Sequence, residues 1–273
     1  QIDTFPAAGI PTVSVWPSLP FRDKRWKSYY VYAHRAPALD VWALQGDAWR
    51  QGRIQSEEGT AAEWQVLQSD TYPDYVLLRR GGISQGVLPN PLPSYFIKRG
   101  ESAVLSLDFG TTGTTVMMLQ NGKITPAELP CLLRTLLAGA YPVAFSEEFL
   151  PNAALKGTRF SAEDIFTDDP SAWDKALLDG HIYTPASCAA ICKKNAGRLY
   201  YDLKWGDEEF RLRSTRLFLH QVMTEASLAA YLSGAPDVSW RVAMPEAMVP
   251  EARRRYLDRV RALTEQVAED CGV

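Results

Sequence analysis

The pattern of apolar and polar positions changes near residue 100. Before it, apolar residues fall in short runs rich in β-branched and aromatic side chains: "TVSVW", "KSYYVYAH", "LDVWALQ", "WQVLQ", "DYVLLRR" and "SYFIK". Such runs fit a pleated, half-buried surface better than a helix. The breakers "PAAGIP", "SLPF", "RGG" and "PNPLP" separate several of them. No stretch of twelve residues there holds helical periodicity. The pattern predicts a β-rich module over residues 1–100, with "VLPNPLPS" as its exit.

After residue 100 the pattern is mixed. "AVLSLDF" and "TTVMMLQ" read as strands, and Asn121-Gly122 is the dipeptide favoured in a two-residue hairpin turn. "CLLRTLLAGA" reads as a short helix ending near Gly139. Residues 146–200 read as irregular, apart from a helical turn or two in "SAWDKALLD". In "RSTRLFLHQVMTEASLAAYLSG", Phe218, Val222, Ala226, Ala229 and Leu232 recur at helical spacing and Gly234 supplies the stop. "VSWRVAM" alternates as a strand. In "VPEARRRYLDRVRALTEQVAED", Pro250 suits the first turn and Tyr256, Val260, Leu263 and Val267 form an apolar stripe. The sequence therefore predicts a mixed α/β region over residues 101–273.

Composition excludes more than it assigns. The chain has 273 residues and a net charge of −3, with mixed signs along its length, so no basic stripe for nucleic acid is present. No apolar run reaches the roughly 18 residues of a spanning helix, and no signal peptide is visible. Cys131, Cys188, Cys192 and Cys271 complete neither a C-x-x-C pair nor a zinc set. Scattered thiols of this kind fit a reducing, cytoplasmic setting. A chain that starts at Gln1 is expected to be a processed form or a piece of something longer. Trp16, Trp26, Trp42, Trp49 and Trp64 in the first module suit core filling or a stacking surface for a partner. No G-x-S-x-G elbow supports a hydrolase triad around His34, His181 or His220. The acidic "AEDIFTDD" lacks the glycine and spacing of a calcium loop.

The chemically distinctive stretch is "LSLDFGTTGTTVMML". A plain hairpin needs two turn residues; this one spends six small ones and puts Asp108 at the end of an apolar strand. Gly110 and Gly113 let a ligand approach the main chain. Thr111, Thr112 and Thr114 add hydroxyls and backbone N–H groups, and successive N–H groups in a tight bend make a concave anion site. Phosphate held there needs a cation, and Asp108 is placed to hold magnesium, mainly through water. Neither a Walker loop nor a G-x-G-x-x-G turn after a strand is present.

These residues resemble the first phosphate loop of the actin, heat-shock chaperone and sugar-kinase ATPase superfamily, Asp-x-Gly-Thr-Thr/Ser between two strands of a hairpin. "SWRVAMPEAMVPEARRRYLDRVRALTEQVAEDCGV" is similar to the strand and helix that follow in the chaperone branch, and "YYDLKWG" to the region supplying a catalytic lysine. The resemblance implies a ribonuclease-H-like first lobe over residues 101–273, preceded by the β-rich module. It implies ATP and magnesium as cofactors. Asp108 would organise the metal, Gly110, Thr111, Thr112, Gly113 and Thr114 would bind phosphate, and Lys204 would stabilise charge on it. The second phosphate loop, the adenosine-binding glycines and a catalytic carboxylate come after position 273 in that superfamily. The expected partner is therefore a second lobe, and one lobe alone is expected to bind nucleotide poorly and turn over little. Two rivals stay open: a small-molecule kinase of the same superfamily, and a non-catalytic interaction protein that uses residues 1–100 to hold a partner.

Overall fold

A computed structural model describes residues 11–34, 40–45, 47–51, 53–55, 64–110, 114–127, 132, 134–137, 159–160, 165–167, 181–183, 199–200, 209–244, 246 and 248–273. The chain is mixed, with two long helices and several β-sheets among the described residues. It divides into two compact units. One comprises Gln1–Phe96, Cys131–Leu150 and Asp169–Asp179; the other comprises Ile97–Pro130, Pro151–Asp168 and Gly180–Val273.

The first unit is a two-sheet sandwich. Its strands are β1 (Thr12–Trp16), β2 (Tyr29–His34), β3 (Asp40–Gln45), β4 (Ala48–Gln51), β5 (Arg53–Gln55), β6 (Trp64–Ser69), β7 (Tyr75–Arg80), β8 (Ile83–Pro89) and, later in the chain, β12 (Arg134–Leu137). They form sheets of order β12-β1-β2-β6-β5 and β4-β3-β7-β8. Inward residues of both sheets, among them Val13, Val31, Val41, Val76 and Leu88, share one apolar core. Trp16 and Trp26 are buried, as core filling requires, and the Trp26 indole N–H donates to the Ser28 carbonyl at 2.8 Å. Phe21 packs edge-on against Trp26 and Tyr95.

Strand β12 corrects the helix expected over residues 131–140. Residues 134–137 pair antiparallel with β1, Val15 opposite Arg134 and Ser14 opposite Thr135, and the Ser14 and Thr135 hydroxyls meet at 3.1 Å. Leu136 and Leu137 pack on the sandwich core. A four-residue leucine-rich segment has no decisive local preference, and an open sheet edge 121 residues earlier decides it. The turns "SAWDKALLD" lie outside the described residues.

Asn90, just past β8, is fully buried. Its amide donates to the Pro73 carbonyl at 3.0 Å and its backbone N–H to the Asp74 carbonyl at 2.7 Å. Asn90→Ala strands the Pro73 carbonyl and is expected to cost about 1–3 kcal/mol. A denaturant midpoint indistinguishable from wild type would show that this bond contributes nothing.

The second unit is built on a sheet of order β11-β10-β9-β17. Its strands are β9 (Ala103–Phe109), β10 (Thr114–Gln120), β11 (Lys123–Pro126) and β17 (Val238–Val242), with β13 (Arg159–Phe160) also pairing β10. Strands β9, β10 and β11 run antiparallel in succession. The expected Asn-Gly turn joins the last two, with φ of 52° at Asn121 and 71° at Gly122. Strand β17 lies parallel to β9, Trp240 opposite Leu105. Three short strands, β14 (Ile165–Thr167), β15 (His181–Tyr183) and β16 (Leu199–Tyr200), pair in a separate sheet within the segment whose residue pattern reads as irregular.

Two helices accompany the larger sheet. Helix α1 (Glu209–Leu232) ends at Gly234 and α2 (Pro250–Cys271) at Gly272, with Pro250 in the first turn of α2. The α2 stripe buries Leu263, Val267 and Cys271. Helix α1 is buried along its last three turns, including its polar residues His220, Gln221, Thr224, Glu225 and Ser227. His220 meets the Asp270 carboxylate of α2 at 3.2 Å. Burial pushes the Glu225 carboxyl up to about 8, against a smaller opposing effect of the Gln221 amide 3.1 Å away. No helix among the described residues is long and apolar enough to cross a membrane.

Candidate functional site

Strand β9 alternates strictly. Ala103, Leu105, Leu107 and Phe109 are buried while Ser106 and Asp108 are exposed. Asp108 thus sits on the open face of the sheet, one residue before the end of the strand, opposite Thr115 of β10. Its carboxylate escapes the desolvation that its apolar neighbours would impose. Phe109 and Thr114 form the last pair of the hairpin, so the tip consists of residues 110–113. Gly110 is half-buried at the start of that tip. Thr114 is fully buried and belongs to the strand, paired with Phe109 on one side and Phe160 on the other. Thr111, Thr112, Gly113 and Lys204 lie outside the described residues.

The parallel neighbour brings a second strand end to the same place. Strand β17 runs out at Val242, and the next residue, Ala243, donates its N–H to the Leu107 carbonyl at 2.8 Å. The carboxyl ends of β9 and β17 therefore share one edge of the sheet. Helix α2 contributes Tyr256 to that edge: its hydroxyl donates to the Ala243 carbonyl at 3.4 Å. The Tyr256 phenol is pushed up, first by burial and then by the negative charge of Asp108. Sequence periodicity counts Tyr256 only as the first apolar residue of the α2 stripe. The one local clue is that it is the stripe's single polar-tipped member, where such a tip usually finds a partner.

Among the described residues no group of three His, Cys, Asp or Glu side chains could hold a metal ion. A lone exposed carboxylate does not make a protein cage of the calcium or zinc type. It does fit magnesium, which keeps several waters and takes the rest of its ligands from phosphate. An open cleft of about 610 Å³ lies elsewhere in this unit, between β17 and α2, lined by Trp240, Val242, Leu257, Arg261, Glu265 and Val273 among others. Among the described residues, neither Asp108 nor Gly110 lines it. No protein-family model, curated protein or solved structure matches the chain.

Proposed function

We propose that the second unit binds the phosphates of a magnesium–nucleotide at the tip of the β9–β10 hairpin, as the first, ribonuclease-H-like lobe of an actin- or chaperone-like ATPase. One observation carries the reading. The carboxyl ends of β9 and β17 lie side by side, and Asp108 stands exposed one residue before the end of β9. Crevices outside the carboxyl ends of parallel strands are the usual ligand sites of open α/β sheets. In this reading the main chain of residues 110–113 cradles phosphate oxygens and Asp108 holds the metal's waters. Thr114 anchors the tip from inside the sheet. Lys204 is assigned to charge on the terminal phosphate. Magnesium supplies charge neutralisation when bound. The chemistry proposed is phosphoryl transfer to water, which depends on positioning and electrostatics more than on covalent catalysis.

Calorimetric titration with ATP in magnesium tests this. Wild type is expected to bind weakly, and Asp108→Asn, which keeps the shape and removes the charge, is expected to lose at least about tenfold in affinity. Equal affinity in the two proteins would remove Asp108 from the site.

A second reading has its own observation. On the outer face of the β4-β3-β7-β8 sheet, Trp42 and Leu77 are neighbours, with Val87 beside Leu77, while Leu44 pairs with Trp49. Trp49 is 38% and Tyr75 42% exposed, and the Arg79 guanidinium lies 5.4 Å from the Trp42 ring centre. An apolar, aromatic sheet face of this kind suits the interaction protein expected of the first module. A chain that ignores magnesium–ATP but loses a binding partner on Trp49→Ala would favour that reading.

A further inference from the structure

Strand β17 forms one edge of its sheet: β9 pairs with one side of it, and no described strand pairs with the other. Two hydrogen bonds fix the direction of its main-chain groups. Ala103 donates its N–H to the Asp237 carbonyl at 3.0 Å, and Ala243 donates to the Leu107 carbonyl at 2.8 Å. In a parallel ladder the N–H and C=O of one residue face the same neighbour, and the side they face alternates along the strand. Ser239 and Arg241, like Asp237 and Ala243, therefore turn their main chain towards β9. Val238, Trp240 and Val242 turn theirs to the open side. The row is regular, since the five pairs with β9 run without a bulge. Proteins usually blunt a free edge with lysine, proline or a bulge. The opposite edge of this sheet does so, because β11 begins at Lys123 and ends at Pro126. Strand β17 has none of these, and its single charge, Arg241, stands on the exposed face of the sheet beside Ser106.

The cleft of about 610 Å³ between β17 and α2 adjoins that open side, and Val238, Trp240 and Val242 all line it. Their side chains share a sheet face with the buried Ala103, Leu105 and Leu107. Across the cleft, α2 presents Leu257, Val260, Thr264 and Ala268, which recur at helical spacing on a face beside its buried Leu263, Val267 and Cys271. Leu257 is 45% exposed. Helix α2 thus covers the place where one more strand would pair with β17. A second copy of the chain does not fit there, because it would bring its own α2 over the same strand position. Helices pack about 8–10 Å apart, whereas paired strands lie only about 5 Å apart. We propose that the β17 edge takes an extended segment of a partner protein as a further strand. Its main chain pairs with the outward groups of Val238, Trp240 and Val242. Its alternate side chains, apolar and β-branched, fill the cleft against Leu257, Val260 and Ala268. Those between them lie on the open face, where a carboxylate beside Arg241 is favoured. This partner does not depend on the nucleotide reading.

The test is amide hydrogen exchange, read by NMR on the isotope-labelled chain alone and with a millimolar synthetic peptide in which valine alternates with glutamate and threonine. In the chain alone, the Val238, Trp240 and Val242 amides are expected to exchange at least about 100-fold faster than those of Ser239 and Arg241. The peptide is expected to slow the three outward amides at least about tenfold. Val242→Pro removes one outward donor and no bond to β9, and proline is tolerated on an edge strand. That variant is expected to fold and to bind the peptide about tenfold more weakly. Slow exchange at the outward amides of the chain alone, at every protein concentration, would show the edge already closed and overturn the proposal. Protection that grows with protein concentration would give the edge to a second copy and overturn it equally. So would outward amides that the peptide does not slow, or a folded Val242→Pro that binds the peptide as well as wild type. Should Val242→Pro fail to fold, the wild-type exchange pattern with and without peptide decides the matter alone.

Discussion

Glu225→Gln is expected to stabilise the protein by several kcal/mol at pH 8 and to change little at pH 4. Glu225 is fully buried in α1, and its carboxyl is pushed from 4.5 up to about 8. The folded state therefore keeps a proton that the unfolded chain releases. Stability from this group is complete below pH 4.5, declines as pH rises, and is lost once pH passes 8. The slope is about 1.4 kcal/mol per pH unit, so the decline across that window amounts to several kcal/mol. Glutamine stays neutral throughout and keeps nearly the same shape, so its stability should be flat where wild type falls. Urea unfolding at pH 5, 6.5 and 8 checks this. Parallel wild-type and variant curves would mean that the Glu225 carboxylate is solvated or paired with a cation.

Gly234→Ala is expected to destabilise the second unit by about 3 kcal/mol or more. Gly234 closes α1 with φ +94°, a region that L side chains rarely adopt. A Cβ there would meet the Lys98 carbonyl oxygen, a backbone atom that cannot swing aside, and would stand 3.1 Å from the Gly100 nitrogen. The same turn is tied to the chain entering β9, because the Gly100 N–H donates to the Gly234 carbonyl at 2.8 Å. Moving the turn would thus disturb both the end of α1 and the start of the strand that carries Asp108. Thermal unfolding measures the loss. A melting temperature within a degree of wild type would show that this crossing has room to adjust.

The features legible in the sequence are those set by local chemistry. Asn121-Gly122 makes a turn because both residues tolerate positive φ, and the two strands beside it follow. Pro250 opens α2 because it fits a first turn, and Gly234 stops α1 because glycine tolerates the positive φ there. Asp108 stands on the open face of β9 because the strand's apolar residues alternate with its polar ones, a pattern written in "AVLSLDF" itself. What escaped the sequence depends on distant partners. Strand β12 is a strand only because β1 offers an edge, and the parallel pairing of β17 with β9 spans more than 130 intervening residues. Tyr256 reads as an apolar stripe member until β17 is placed, since its partner Ala243 belongs to another element. The burial of α1 around Glu225 was equally hidden, because the residues that repeat at helical spacing account for only one of its faces.

The central claim is that the hairpin tip holds phosphate with a metal beside it. An amide-resolved NMR titration of the isotope-labelled protein with magnesium–ATP tests it directly, and it registers even weak binding. The account predicts shifts concentrated at Asp108 to Thr114 and around Ala243 and Tyr256, diminished by EDTA and by Asp108→Asn. Shifts confined to the β17–α2 cleft, or no shifts anywhere, would contradict it.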